Sequence, residues 1–116
     1  MSYLSDVAIA VRKTDWEAFN AHCSVARLGK TAQCQIDGTV WTVAKWYAVQ
    51  WSVGNELFDQ VTRWLDTLND FSFARIGQEG ADLSQMKKGF CPDFFECYCS
   101  NHLHINLIGD AYADLV

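Results

Sequence analysis

The order of strand and helix patterns along the 116-residue chain predicts an α+β fold, a ferredoxin-like βαββαβ unit with an additional C-terminal β-hairpin. Alternating apolar residues indicate strands, and two stretches with apolar residues at helical spacing indicate helices. An Asp37-Gly38 dipeptide between two strand patterns indicates a hairpin. The length, the 50% hydrophobic content and the single proline predict one domain over residues 1–116.

The first strand is expected at residues 6–11, where valine and isoleucine alternate with alanine. Thr14 and Glu17 have the spacing of a capping box, which predicts that the first helix begins there. Because glycine is typical just after a helix, Gly29 favours a helix end near residue 28.

Strands are next expected at residues 32–36 and 39–50, joined by Asp37-Gly38, which suits the positive φ angles of a type I′ turn. The second of these strands is apolar at both odd and even positions. It is therefore expected at the centre of the sheet, covered on both faces.

A second helix is expected after Ser52, which is a suitable cap, with apolar residues from Val53 to Leu68 at the i, i+3, i+4, i+7 spacing. A strand at residues 71–76 then completes the βαββαβ order. The polar, glycine-containing segment 77–93 predicts a long loop with one helical turn at 83–87.

The end of the chain predicts a hairpin of strands 94–99 and 103–108, followed by a short tail. Within it, a two-residue turn would bring Cys97 opposite His104 and Cys99 opposite His102. Zinc accepts such ligands, and Cys91 lies nearby, so a metal- or thiol-dependent protein is one hypothesis. Four residues spread along a flat hairpin converge poorly on one ion, which favours packing cysteines and neither metal nor cofactor.

The net charge of −5 and the pI of about 4.9 disfavour direct binding to nucleic acid and to anionic membranes. The chain has no run of 18 apolar residues, and it begins without the basic and apolar pattern of a signal peptide. These features predict a cytoplasmic protein without membrane contact.

Two basic residues, Lys45 and Arg75, fall within predicted strands, where a charge has to reach water, pair with an acid or bind an anion. A structural ion pair with Asp37, Glu79 or Asp82 is the favoured interpretation, and a small anionic ligand is the alternative. No catalytic motif accompanies them, so we expect a protein that is not an enzyme.

The five tryptophans exceed what a small core needs, and partner interfaces are rich in such residues. If helices cover one face of the sheet, rings on the other face can meet a partner. The acidic residues of the long loop and the terminal hairpin would then face a basic, nucleic-acid-binding surface on that partner. The predicted interaction residues are Trp41, Tyr47, Trp51, Glu79, Asp82, Asp93 and Glu96.

Three segments, Ser5–Ala10, Trp41–Tyr47 and Phe73–Asp82, resemble small uncharacterised proteins encoded by phages and prophages. Gln78 departs from the acid that this pattern has, and the Cys/His hairpin is not part of it. The resemblance implies an accessory protein of a mobile element, the class that includes anti-CRISPR inhibitors. It predicts a non-enzymatic module that binds a bacterial host or defence-system protein, with a homodimer as an alternative.

Overall fold

The computed structural model describes residues 3–22, 30–77, 82–92, 95–98, 102–105 and 110–112, with side chains up to residue 92 except that of His22. Within these ranges the chain forms two helices and eight strands. They are β1 (Ser5–Arg12), α1 (Lys13–His22), β2 (Lys30–Ile36), β3 (Thr39–Val49), α2 (Glu56–Leu65), β4 (Phe71–Gly77), β5 (Leu83–Lys88), β6 (Phe95–Tyr98), β7 (His102–Ile105) and β8 (Asp110–Tyr112).

The main sheet is antiparallel, with five long strands in the order β5-β4-β1-β3-β2 and the short β8 beside β2. β6 and β7 form a separate two-stranded sheet. The predicted ferredoxin-like βαββαβ fold class is therefore wrong. The observed sheet is wider, because residues 83–88 add a strand beside β4 and residues 110–112 add one beside β2.

The strand β5 replaces the loop and helical turn predicted for this segment. It forms because β4 would otherwise present unpaired backbone groups, which a returning chain can satisfy. The Gly77 N–H donates to the Asp82 carbonyl at 2.8 Å and closes the hairpin. At the sheet edge both faces of β5 are partly exposed to solvent. Its sequence therefore lacks the alternation of apolar and polar residues by which strands are recognised.

The hairpin of β2 and β3 is confirmed, with Asp37 at φ 50° and Gly38 at φ 80° in the turn. Both predicted helix caps are wrong. α1 begins at Lys13, directly after β1, so Thr14 lies inside the helix. α2 is capped by Asn55, whose Oδ1 accepts the Leu57 N–H at 3.0 Å. The predicted end of α1 near residue 28 lies outside the described residues.

The two faces of the sheet bury separate apolar clusters. On one face, side chains of β1, β3 and β4 pack against α1 and α2. On the other face, the buried side chains include Ala8, Ala10, Trp41 and Cys91. The backbone of the β6–β7 hairpin lies against β4, and β7 also approaches β1. The prediction that cysteines act as small packing residues is confirmed for Cys34 and Cys91, whose thiols are buried in this cluster.

Aromatic rings fill the layer between the helices and the sheet. Trp16 lies 6.2 Å from both Trp46 and Trp64, measured between ring centroids, and Phe19 stacks on Trp64 at 4.0 Å. Most of the aromatic excess seen in the sequence therefore stabilises the core. Neither ten-residue helix that the structure describes is long and apolar enough to cross a membrane.

Candidate functional site

An open apolar groove of about 290 Å³ lies on the helix-bearing face, between α2 and the strands β4 and β5. Its helical wall is one stripe of α2 and the residue after it, comprising Phe58, Thr62, Leu65 and Asp66. These positions are spaced by four, three and one residues, which places them along the same side of a helix.

The floor of the groove comes from alternate residues of two paired strands. Phe71, Phe73 and Arg75 of β4 line it, together with Ser84 and Met86 of β5. The register pairs Phe73 with Met86 and Arg75 with Ser84. Because side chains of directly paired residues point to the same face of a sheet, this register brings all five into one surface.

Aromatic rings line the groove, and one apolar side chain of its lining is largely exposed to solvent. Trp51 meets Phe58 edge to face at 5.1 Å and lies 5.7 Å from Phe73, between ring centroids. Met86 is 56% exposed, which is high for a large apolar side chain that lines a concave surface. Concave surfaces lined mainly by apolar and aromatic side chains, as this groove is, are typical of sites that bind a partner or ligand.

Arg75 closes one end of the groove, and its two terminal guanidinium nitrogens make four hydrogen bonds. It donates to Asp82 at 2.6 and 3.2 Å, to Ser5 Oγ at 3.1 Å and to Ser84 Oγ at 3.2 Å. Hydrogen bonds from Arg75, and then from the Tyr3 hydroxyl, lower the pKa of Asp82. The predicted structural ion pair of Arg75 is confirmed, which disfavours Arg75 as a site for a small anion.

A second aspartate holds the other end of β5. Asp70 Oδ1 accepts the Phe90 N–H at 2.7 Å, and Asp70 Oδ2 lies 3.0 Å from an Arg12 nitrogen. The Phe90 hydrogen bond, followed by the Arg12 contacts, lowers the pKa of Asp70. Gly89 has φ 68° and packs against Asp70, where a Cβ would clash. No spacing rule links residue 70 with residues 12 and 90, so sequence reasoning missed this contact.

A cluster of cations lies on the opposite face of the sheet. Lys45 Nζ sits 4.3 Å from the centroid of the Tyr47 ring, and Lys30 Nζ sits 5.8 Å from it. Burial lowers the pKa of Lys45, whereas the Asp6 carboxylate acts to raise it. Burial and Asp6 together raise the pKa of Tyr47. Asp6 Oδ1 also accepts the Ala48 N–H at 2.9 Å, where β3 bulges.

The predicted interaction residues occupy different environments. Trp41 is 3% exposed in the second core, under the Arg12 guanidinium, and so is inaccessible to a partner in this structure. Tyr47 is 41% exposed. Trp51 lines the groove, and Asp82 is paired with Arg75. The remaining predicted residues lie outside the description, either entirely (Glu79 and Asp93) or by their side chain (Glu96).

The register of the β6–β7 hairpin differs from the one that suggested a metal site. Leu103, and not His104, is opposite Cys97, while His104 is opposite Glu96. Cys99 lies outside the described residues. Within the described part of the chain, no group of three or more His, Cys, Asp or Glu residues is arranged to hold a metal ion.

The groove, the aspartate contacts at both ends of β5 and the Lys45 cluster are the features from which a function can be inferred. Comparisons of the chain with protein-family models, with curated proteins and with solved structures found no match.

Proposed function

We propose that the protein is a non-enzymatic module that binds another protein by accepting one of its apolar side chains in the groove. The observation that carries this proposal is the exposed Met86 in an open groove of about 290 Å³ that the rings of Trp51 and Phe58 also line. Ligand pockets usually span ~300 to 1,000 Å³, so the groove lies at the small end of that range and has room for a single large side chain. Interfaces commonly concentrate their binding energy in such anchor pockets.

The chemistry of the groove supports binding over catalysis. Its guanidinium, on Arg75, is held by Asp82 and two serine hydroxyls, so it has little capacity left for a reacting anion. Its other charged group, Asp66, is an exposed carboxylate at the end of α2. A single solvated carboxylate lacks the nucleophile and base pairing that covalent catalysis requires.

The narrower form of the proposal is an inhibitor from a phage or other mobile element that acts on a bacterial host or defence-system protein in the cytoplasm. Its support is the resemblance of three short segments to phage-encoded proteins. In this form the groove would occlude a surface of the target, and Tyr47 would be available for a further contact because it is 41% exposed.

The test compares two substitutions that place the same charge on exposed apolar residues. Met86→Glu puts a carboxylate in the groove, while Val53→Glu changes a residue that is 86% exposed and does not line the groove. Each tagged protein is used to capture partners from bacterial lysates, and retained proteins are quantified by mass spectrometry. We expect a stoichiometric protein with the unsubstituted chain and with Val53→Glu, but not with Met86→Glu. Equal retention by all three, or none by any, would contradict the proposal.

A further inference from the structure

We propose that the partner contributes an extended segment that pairs with the edge strand β5 and carries a large apolar residue two positions from an acidic one. This inference rests on the proposed function and specifies the chemistry of what enters the groove. The apolar residue would lie opposite Met86 and fill the groove. The acidic residue would lie opposite Lys88.

The position of β5 favours an extended occupant. In the main sheet β5 is the last strand, with β4 as its one paired neighbour among the strands that the structure describes. Edge strands are templates for the backbone of another chain, and β-strand addition is a common mode of peptide recognition. Because Ser84 and Met86 belong both to β5 and to the groove, a strand added beside β5 would run along the groove.

The alternation of side chains sets the spacing of the partner motif. Met86 pairs with Phe73, and Lys88 pairs with Phe71. Because Phe71 and Phe73 both line the groove, the side chains of Met86 and Lys88 lie on the same face of the sheet as the groove. In an added strand the two positions opposite them are also two residues apart and point to the same face. The predicted motif is therefore apolar-x-acidic, or the reverse order if the strand runs the other way.

Local charge supports the acidic position. Residues 83–92 contain two lysines and no acid, in a chain with a net charge of −5. The aspartates at the two ends of this segment are already paired, Asp70 with Arg12 and Asp82 with Arg75. Lys88 is exposed and takes part in none of the ion pairs found within the described residues. The rim of the groove at β5 therefore suits an acidic partner residue despite the negative charge of the whole protein.

The test uses random nine-residue peptides displayed on phage and selected on the full chain. We expect the selected peptides to carry an aromatic or large aliphatic residue two positions from Asp or Glu. Lys88→Glu should weaken these peptides about tenfold and should switch the acidic position to Lys or Arg when the selection is repeated. Arg63→Glu makes the same charge change on an exposed position outside the groove, and it should do neither.

Synthetic versions with single N-methylated backbone amides test strand pairing directly. An added strand uses alternate amides, so N-methylation should abolish binding at every second position only. The strand inference is overturned if the peptides bind Met86→Glu weakly but bind Lys88→Glu as tightly as the unsubstituted chain. It is also overturned if the N-methylated positions that abolish binding do not alternate. Either result leaves the groove proposal standing. If no peptide is selected, the strand inference is wrong. If the selected peptides bind Met86→Glu as tightly as the unsubstituted chain, the groove proposal is wrong as well.

Discussion

Replacing Asp70 by alanine should destabilise the protein by about 2 to 3 kcal/mol. The substitution removes the acceptor of the Phe90 N–H, bound at 2.7 Å, and the ion-pair partner of Arg12 at 3.0 Å. Hydrogen bonds to charged groups contribute about 1.5 to 3 kcal/mol each. We count the Phe90 bond in full and the Arg12 contact at a fraction, because the Arg12 side chain is 41% exposed and water can replace its partner.

The matched variant is Asp70→Asn, which keeps an oxygen acceptor for Phe90 but removes the negative charge. It should cost about 1 kcal/mol, less than the alanine variant. Urea unfolding followed by tryptophan fluorescence and by circular dichroism measures both free energies. A loss below about 0.5 kcal/mol for Asp70→Ala would refute the reasoning, because the two contacts at this end of β5 would then contribute nothing net.

The cost of Asp70→Ala should also depend on pH. Because the pKa of Asp70 is lowered in the folded protein, the carboxylate stabilises the fold fully above the ordinary value of 3.8. This stabilisation is lost as the pH falls below that value and through the folded-state pKa. The difference in unfolding free energy between the unsubstituted protein and Asp70→Ala should therefore shrink between roughly pH 5 and pH 2. A difference that stays constant across this range would contradict the assignment.

Three further substitutions test other features, the first two by urea unfolding and the third by thermal unfolding. Thr42→Val should stabilise the protein by about 1 kcal/mol, because the buried Thr42 hydroxyl has no hydrogen-bond partner among the residues that the structure describes. An unchanged or lower stability would contradict this. Gly89→Ala should lower the free energy of unfolding more than Gly54→Ala does. Both positions have positive φ, but of the two only position 89 has atoms that an added Cβ would clash with. Equal losses would contradict the close packing at Gly89. Asp82→Lys should lower the melting temperature by setting an ammonium beside Arg75, and an unchanged melting temperature would argue against that pair.

Local chemistry explains the parts of the fold that the sequence predicts correctly. Asp37 and Gly38 both adopt the positive φ angles that this turn requires, so these two residues are enough to predict the hairpin. The apolar stripe of α2 is similarly strong, and Leu57, Val61 and Leu65 are buried as expected.

The wrong predictions concern features that depend on contacts between residues far apart in the sequence. Ser52 and Thr14 are good caps by residue type, but the position where the chain leaves each strand decides where its helix begins. The segment 83–88 has no apolar alternation, and it becomes a strand because β4 supplies hydrogen-bond partners and aspartates hold both of its ends. Since the groove needs this strand, Trp51 is the one lining residue predicted as an interaction residue, and Arg75 was considered as a possible anion site.

The ring cluster between the helices and the sheet gives the protein an optical signature of native packing. Trp16 is within 6.2 Å of Trp46, which belongs to the sheet, and of Trp64, which belongs to α2. Rings at this separation couple electronically, so their near-ultraviolet circular dichroism depends on the mutual angles of three separate elements. A compact state in which the helices persist but no longer pack in fixed positions on the sheet would lose the near-ultraviolet signal. Its far-ultraviolet circular dichroism would persist.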